Sequence, residues 1–132
     1  MIRHGEKGAA AVEFAILLPV LVTVLFGIIE FGFAFYTKEV LTNASREAAR
    51  SGIVQAAPKP TVPEIQTVVT TYLTGTGVDP ATAITTVNGA GGAFPTDLTV
   101  TVTYPYAFTV LPNFAGIGSL ITLTAQTVMR HE

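Results

Sequence analysis

One stretch decides most of what this chain can fold into. From Phe14 to Ile29, sixteen consecutive residues carry no charge. As a helix they would span about 24 Å at about 1.5 Å per residue, a little short of a hydrocarbon core of about 30 Å. Extension through Glu30 to Tyr36 makes the segment long enough. It also places Phe31, Phe33, Phe35 and Tyr36 at the outer interface, where aromatic rings are favoured. A transmembrane helix over about residues 14–36 is therefore expected. The leader before it, residues 1–8, is short and polar, and Arg3, Lys7 and the terminal amine outweigh Glu6. Positive flanks stay cytoplasmic, so the rest of the chain is expected outside.

Two features of this helix need a reason. Glu13 puts a carboxylate near the start of the apolar run, where it is costly unless it snorkels or finds a partner. Pro19 removes one backbone hydrogen bond, so a kink or a locally melted turn is expected there. Gly27 and Gly32 add flexibility or allow close helix approach.

The helical pattern continues past the membrane. Thr37 to Arg50 contains no Pro or Gly, and Val40, Leu41, Ala44 and Ala48 form a narrow apolar stripe. Lys38, Glu39, Arg46, Glu47 and Arg50 point elsewhere. Ser51-Gly52 supplies the stop, with Gly52 read as the residue just past the helix end. Ala9 to Ser51 would make a helix of about 65 Å. A proline-broken linker, Gln55 to Pro63, leads into a second helix over Pro63–Leu73, with Glu64 at the positive end of its dipole. Its positions Ile65, Val68, Val69, Tyr72 and Leu73 share one face.

Strands follow. Ala83 to Val87 is short. Asp97 to Phe108 alternates Leu98, Val100, Val102, Tyr104, Tyr106 and Phe108 against Thr99, Thr101 and Thr103. Pro105 inside that run implies an edge strand or a bend. Leu111 to Ile117 reads as an irregular connection. Leu120 to Met129 alternates Ile121, Leu123 and Ala125 against Thr122, Thr124 and Gln126. The expected fold class is α+β: a long transmembrane helix running into an amphipathic one, packed by a second short helix and an antiparallel sheet of about three strands. The expected parts are a cytoplasmic leader (1–8), the long helix (9–52) and an extracytoplasmic α/β head (53–132). The sheet is expected to bury one face against the amphipathic half of the first helix.

Composition narrows the chemistry. The chain has no cysteine, which removes disulfides, thiolate metal sites and thiol catalysis. Its net charge of −2 shows no basic block, so no nucleic-acid partner is implied. His4 and His131 sit at opposite ends and on opposite sides of the expected membrane, so no metal or cofactor site is expected. Gly75, Gly77, Gly89, Gly91 and Gly92 lack the following Lys-Ser/Thr of a phosphate loop and read as turn glycines. No nucleophile elbow, zinc-protease helix or paired-carboxylate cleft is present, so no enzyme is expected. Asn43-Ala44-Ser45 fits a glycosylation sequon but falls in helix. Glu30 lies about 100° around the helix from Glu13, so the two make no acid pair in one chain. Glu30 reads as an interfacial carboxylate, or as a contact to Lys38, Arg46 or Arg50 of a neighbouring subunit. Arg46, Glu47 and Arg50 read as a solvated helix face.

Gly8 and Glu13 can be read together. A cut after Gly8 would make Ala9 the new N-terminus and Glu13 its fifth residue. Glycine leaves the backbone adaptable for a peptidase. The freed amine is a cation, and the Glu13 carboxylate of a neighbour in a lateral assembly could pair with it. Such a pair would set register more than it adds net stability.

Gly8, the apolar start, Glu13 followed by Phe14, and Pro19 resemble the class III signal of type IV pilin-like proteins. The fuller pattern runs Gly8-Ala-Ala-Ala-Val-Glu-Phe-Ala-Ile-Leu-Leu-Pro19, then Phe26-Gly27-Ile-Ile-Glu30-Phe31-Gly32, then Leu41-Thr-Asn43-Ala-Ser-Arg46-Glu47-Ala-Ala-Arg50. It resembles the TadE-like family, pseudopilins or minor pilins of the tight-adherence (Tad, or Flp) pilus system. The resemblance covers residues 8–51. It implies a prepilin peptidase acting between Gly8 and Ala9, assembly through a helix that includes Glu13, Phe14, Pro19 and Glu30, and contacts of Arg46, Glu47 and Arg50 to the sheet or to partner subunits. The implied partners are the inner membrane, other Tad pilins and the pilus assembly machinery, in homo- or hetero-oligomers. The first mature residue would be Ala9 and not the phenylalanine of typical type IV pilins. Residues 53–132 carry no recognisable motif. Three other readings are separable by experiment: an unprocessed single-pass anchored periplasmic domain, a secreted binding module, and a small hydrolase. The apolar run exceeds a secretory h-region of about 7–15 residues and lacks an Ala-x-Ala-like site, which disfavours the secreted module.

Overall fold

The computed structural model describes residues 4–109 and 120–132. The expected irregular connection at residues 111–117 lies outside them. The fold is α+β. Helix α1 runs His4–Gly52 and α2 runs Val62–Leu73. Strands β1 (Ile84–Asn88), β2 (Asp97–Ala107) and β3 (Leu120–Arg130) form one antiparallel sheet in the order β1-β2-β3. The described residues divide into two compact units: residues 4–33 with 108–109, and Ala34–Ala107 with Leu120–Glu132.

In the first unit α1 begins at His4, inside the expected leader and not at Ala9. Glu6 lies in its first turn, where a carboxylate suits the positive end of the helix dipole. Adding a turn to an existing helix also avoids a new nucleation cost. The helix passes through Pro19 without a melted turn. Thr23 Oγ1 donates to the Pro19 carbonyl at 2.7 Å, a side-chain bond one turn back along the helix. Large apolar side chains from Val12 to Ile29 stand exposed, Ile16 at 67% and Ile28 at 66%. A stripe that faced a core would show one buried side; this segment is apolar all round, as a lipid-facing helix is.

The second unit holds the core. Val40, Leu41, Ala44, Ala48 and Ala49 of α1 pack with Ile65, Val69 and Leu73 of α2 and with Val87, Leu98, Val100, Val102 and Ala125 of the sheet. The stripe read from the sequence is the buried face, and one face of the sheet closes on it, as expected. Strict alternation in β2 and β3 follows from the two-residue strand period. Leu98, Val100 and Val102 point inward, and Ile121, Leu123 and Ala125 do so from β3. β1 starts one residue later than expected and ends at Asn88.

Two sequence readings need correction here. β2 is the central strand, not an edge. Pro105 is tolerated because β1 reaches only as far as the Ile84–Thr103 pair, while β3 alone accompanies β2 at Pro105–Thr122. A proline lacks the ladder donor, and here no second neighbour asks for one. Gly52 is inside α1 and is not left-handed. A Cβ on Gly52 would collide with the side chains of Leu98 and Ile65. Its glycine is there for close packing. Gly92 is a turn glycine as read: its amide donates to the Gly89 carbonyl at 3.3 Å, and a Cβ there would crowd Thr96 and His131.

α2 starts at Val62, one residue earlier than expected, with Thr61 at its N-cap. The Glu64 carboxylate reaches back to accept from the Thr61 amide at 2.7 Å and from its hydroxyl at 2.8 Å. Gly89, at φ +87, turns the chain between β1 and β2 against the Asp97 backbone, where a side chain would not fit.

Candidate functional site

The candidate residues lie along α1. Gly8 and Ala9 are exposed within its first turns, and a Cβ on Gly8 would meet nothing within 4 Å. Glu13 is exposed one helical turn after Ala9, so the two positions share a face. Among the described residues Glu13 meets no hydrogen-bond donor and no cation. Phe14 is 62% exposed beside it. Gly27 and Gly32 also face open space, so nothing among the described residues requires a glycine at either position.

Glu30 is placed differently. It is only 3% exposed. Its Oε1 accepts a hydrogen bond from the Thr109 amide at 3.0 Å. Next to it, the rings of Phe31 and Phe108 meet edge to face, 5.9 Å apart at 65°. A carboxylate taking a backbone N–H is a charge-assisted bond, stronger than a neutral one. The structure thus brings Glu30 to its own chain. It does not bring Glu30 to Glu13.

Arg46 is exposed, and Arg50 and Glu47 pair with each other at 3.0 Å on the surface. The Glu47 carboxylate, first through its hydrogen bond and then through its charge, raises the Arg50 pKa from its ordinary value. An exposed i,i+3 pair of this kind adds a few tenths of a kcal/mol, about 0.2–0.5. The three side chains sit on the outer face of the helix, away from the packed stripe.

Several contacts that fix this geometry were not read from the sequence. Ser45 is fully buried, donates to the Thr42 carbonyl at 2.8 Å and lies 2.7 Å from Thr127 Oγ1. Its own proton being used, the Thr127 hydroxyl is the donor. Tyr36 donates to the Thr76 carbonyl at 3.0 Å, and Lys38 donates to the Thr124 carbonyl. Position 45 continues the Leu41, Ala44, Ala48 stripe, so periodicity could have found it. Thr109 is 79 positions from Glu30 and carries no such signal.

Residues 8–50 match the family model described as TadE-like protein. Over that segment the chain is TadE-like. The match opens on Gly8 and closes on Arg50, and so covers Glu13, Pro19, Glu30, Arg46 and Glu47. No curated protein and no solved structure matches the chain. The TadE-like family is a structural, non-enzymatic one and suggests a minor pilin related to the Tad pilus. Helix α1, which carries the TadE-like segment, is long and apolar enough to cross a membrane, compatible with a single-pass anchor.

Proposed function

We propose that this chain is a pseudopilin or minor pilin of a Tad-type pilus. It sits in the inner membrane as a single-pass protein, with residues 1–8 cytoplasmic and residues 53–132 periplasmic. A prepilin peptidase hydrolyses the Gly8–Ala9 bond, leaving a carboxylate on Gly8 and an amine on Ala9. The chain then assembles laterally through α1, with other Tad pilins and the assembly machinery as partners. The observation that carries this reading is the TadE-like match, which begins at Gly8 itself.

The physical chemistry is consistent with each step. Hydrolysis needs the helical turn around Gly8 to open, and glycine lowers that cost by about 0.5–1 kcal/mol relative to alanine. Once Ala9 is terminal, Glu13 lies near the first turn of the shortened helix, where both the dipole and the new ammonium favour a carboxylate. In a bundle of α1 helices the exposed Glu13 of one subunit pairs with the amine of the next. Phe14 and the open glycines 27 and 32 give the bundle its packing surface, and Pro19 limits helix rigidity. Arg46, Glu47 and Arg50 offer polar subunit contacts outside the membrane.

Two variants separate the steps. Gly8→Ala should block cleavage, and because its Cβ meets nothing within 4 Å, the block would report peptidase recognition and not misfolding. Glu13→Ala should be cleaved yet fail to assemble. Normal cleavage of the Gly8 variant would contradict the assignment and leave an unprocessed anchor.

A further inference from the structure

Arg46 stands apart from the other lysines and arginines of the second unit. Lys38 donates to the Thr124 carbonyl and Lys59 to the Gly92 carbonyl. Arg50 pairs with Glu47, and Arg130 with Asp97. Among the described residues Arg46 meets no acceptor, and it is exposed. Glu39, seven positions earlier, is exposed too, and accepts the Asn43 side-chain amide at 3.3 Å. Positions seven apart return to one face of a helix, about 10.5 Å along its axis. Glu39 and Arg46 therefore share a face but do not meet within one chain. Phe35 begins that face one turn before Glu39 and is 73% exposed. Leu41, Ala44 and Ala48 turn the other way, into the core.

Two copies anchored in one membrane stand parallel. Held level, they set Glu39 against Glu39 and Arg46 against Arg46, and like charges opposite each other repel. Displacing one copy outward by seven residues brings its Glu39 beside the Arg46 of the other. We propose that this face of α1 is the interface between successive copies of the chain, with Arg46 of one subunit paired to Glu39 of the next. A second copy fits it because the face is complementary to itself in charge only when staggered. An exposed ion pair adds little affinity. Its part is to penalise the wrong registers. The inference rests on the proposed lateral assembly and supplies its stagger. The Glu13–Ala9 pair is level at a displacement of four residues in the same direction. Helical side chains lean toward the N-terminus, and the long Arg46 stem spans the remaining three residues, about 4.5 Å.

The chain has no cysteine, so single cysteines report contacts without background. Two full-length chains, a tagged Glu39→Cys and an untagged Arg46→Cys, are produced together with a prepilin peptidase, and the isolated membranes are oxidised. The expected result is disulfide dimers of the mixed pair several-fold above those formed by either variant with itself. Same-position dimers as abundant as mixed ones, or co-isolation of the chains with no dimer, overturns the interface and leaves lateral assembly standing. Failure of the chains to co-isolate overturns the assembly reading as well. Charge is tested in chains without cysteine. Glu39→Arg and Arg46→Glu should each lower co-isolation of tagged and untagged copies about two- to five-fold. Both changes in one chain should restore it. A double variant no better than the singles, or singles equal to the parent, overturns the pairing.

Discussion

Glu30 accepts the Thr109 amide at 3.0 Å, 79 positions along the chain. A carboxylate read as interfacial is thus tied to the backbone that leaves β2. A hydrogen bond to a charged group is worth about 1.5–3 kcal/mol. Glu30→Ala is therefore expected to speed exchange of the Thr109 amide by about ten- to a hundred-fold, with Glu30→Gln intermediate. Hydrogen exchange followed by NMR in detergent micelles checks this. An unchanged Thr109 rate would show that the bond carries no energy.

The glycines of α1 should divide into two kinds. Gly52→Ala drives a methyl group into Leu98 and Ile65, and overpacking of that sort costs about 1–3 kcal/mol. Gly27→Ala meets open space and should be neutral or raise stability by about 0.4–1 kcal/mol through the unfolded chain. Thermal unfolding of the two variants side by side checks the contrast. Equal midpoints would refute the close-packing account of Gly52.

Ser45 should matter more than its size suggests. Ser45→Ala removes the acceptor of the Thr127 hydroxyl at a fully buried position, which costs about 1–3 kcal/mol. Leu41→Ala, in the same stripe, removes a fully buried side chain at about 2–5 kcal/mol. Denaturant midpoints measure both, and a neutral Ser45→Ala would place that hydroxyl pair outside the stabilising contacts.

Acid should loosen the start of α2 before the rest. The backbone and then the hydroxyl of Thr61 hold the Glu64 carboxyl below its ordinary value of 4.5. A folded pKa below the unfolded one gives stability that is complete above about pH 4.5 and is lost as pH falls through the depressed value. Asp79, lowered from 3.8 by the Thr82 hydroxyl and then the Ala81 amide, acts in the same direction at still lower pH. Glu64→Gln should flatten the fall of the thermal midpoint between about pH 5 and pH 3. A parent and variant with the same acid slope would remove Glu64 from the account.

What the sequence made legible had a local period. Alternation in Leu98–Phe108 and Ile121–Ala125 gave the inward faces of β2 and β3, and the Val40–Ala48 stripe gave the buried face of α1. Gly52 was misread because a helix-ending glycine and a close-packing glycine look alike until Leu98 and Ile65 are placed beside it. Pro105 was misread because strand order and the short reach of β1 are long-range facts. Of the candidate site, Gly8, Glu13 and Pro19 were visible as a linear motif. The partner of Glu30 was not, because no spacing rule joins position 30 to position 109.

On the proposed reading, a chain with a TadE-like N-terminal segment is cut after Gly8 and assembles through the helix that Ala9 then begins. Mass spectrometry of the protein's N-terminus, taken from cells with an active prepilin peptidase, tests it most directly. The expected chain starts at Ala9 with Glu13 as its fifth residue. A chain that keeps residues 1–8 would contradict it.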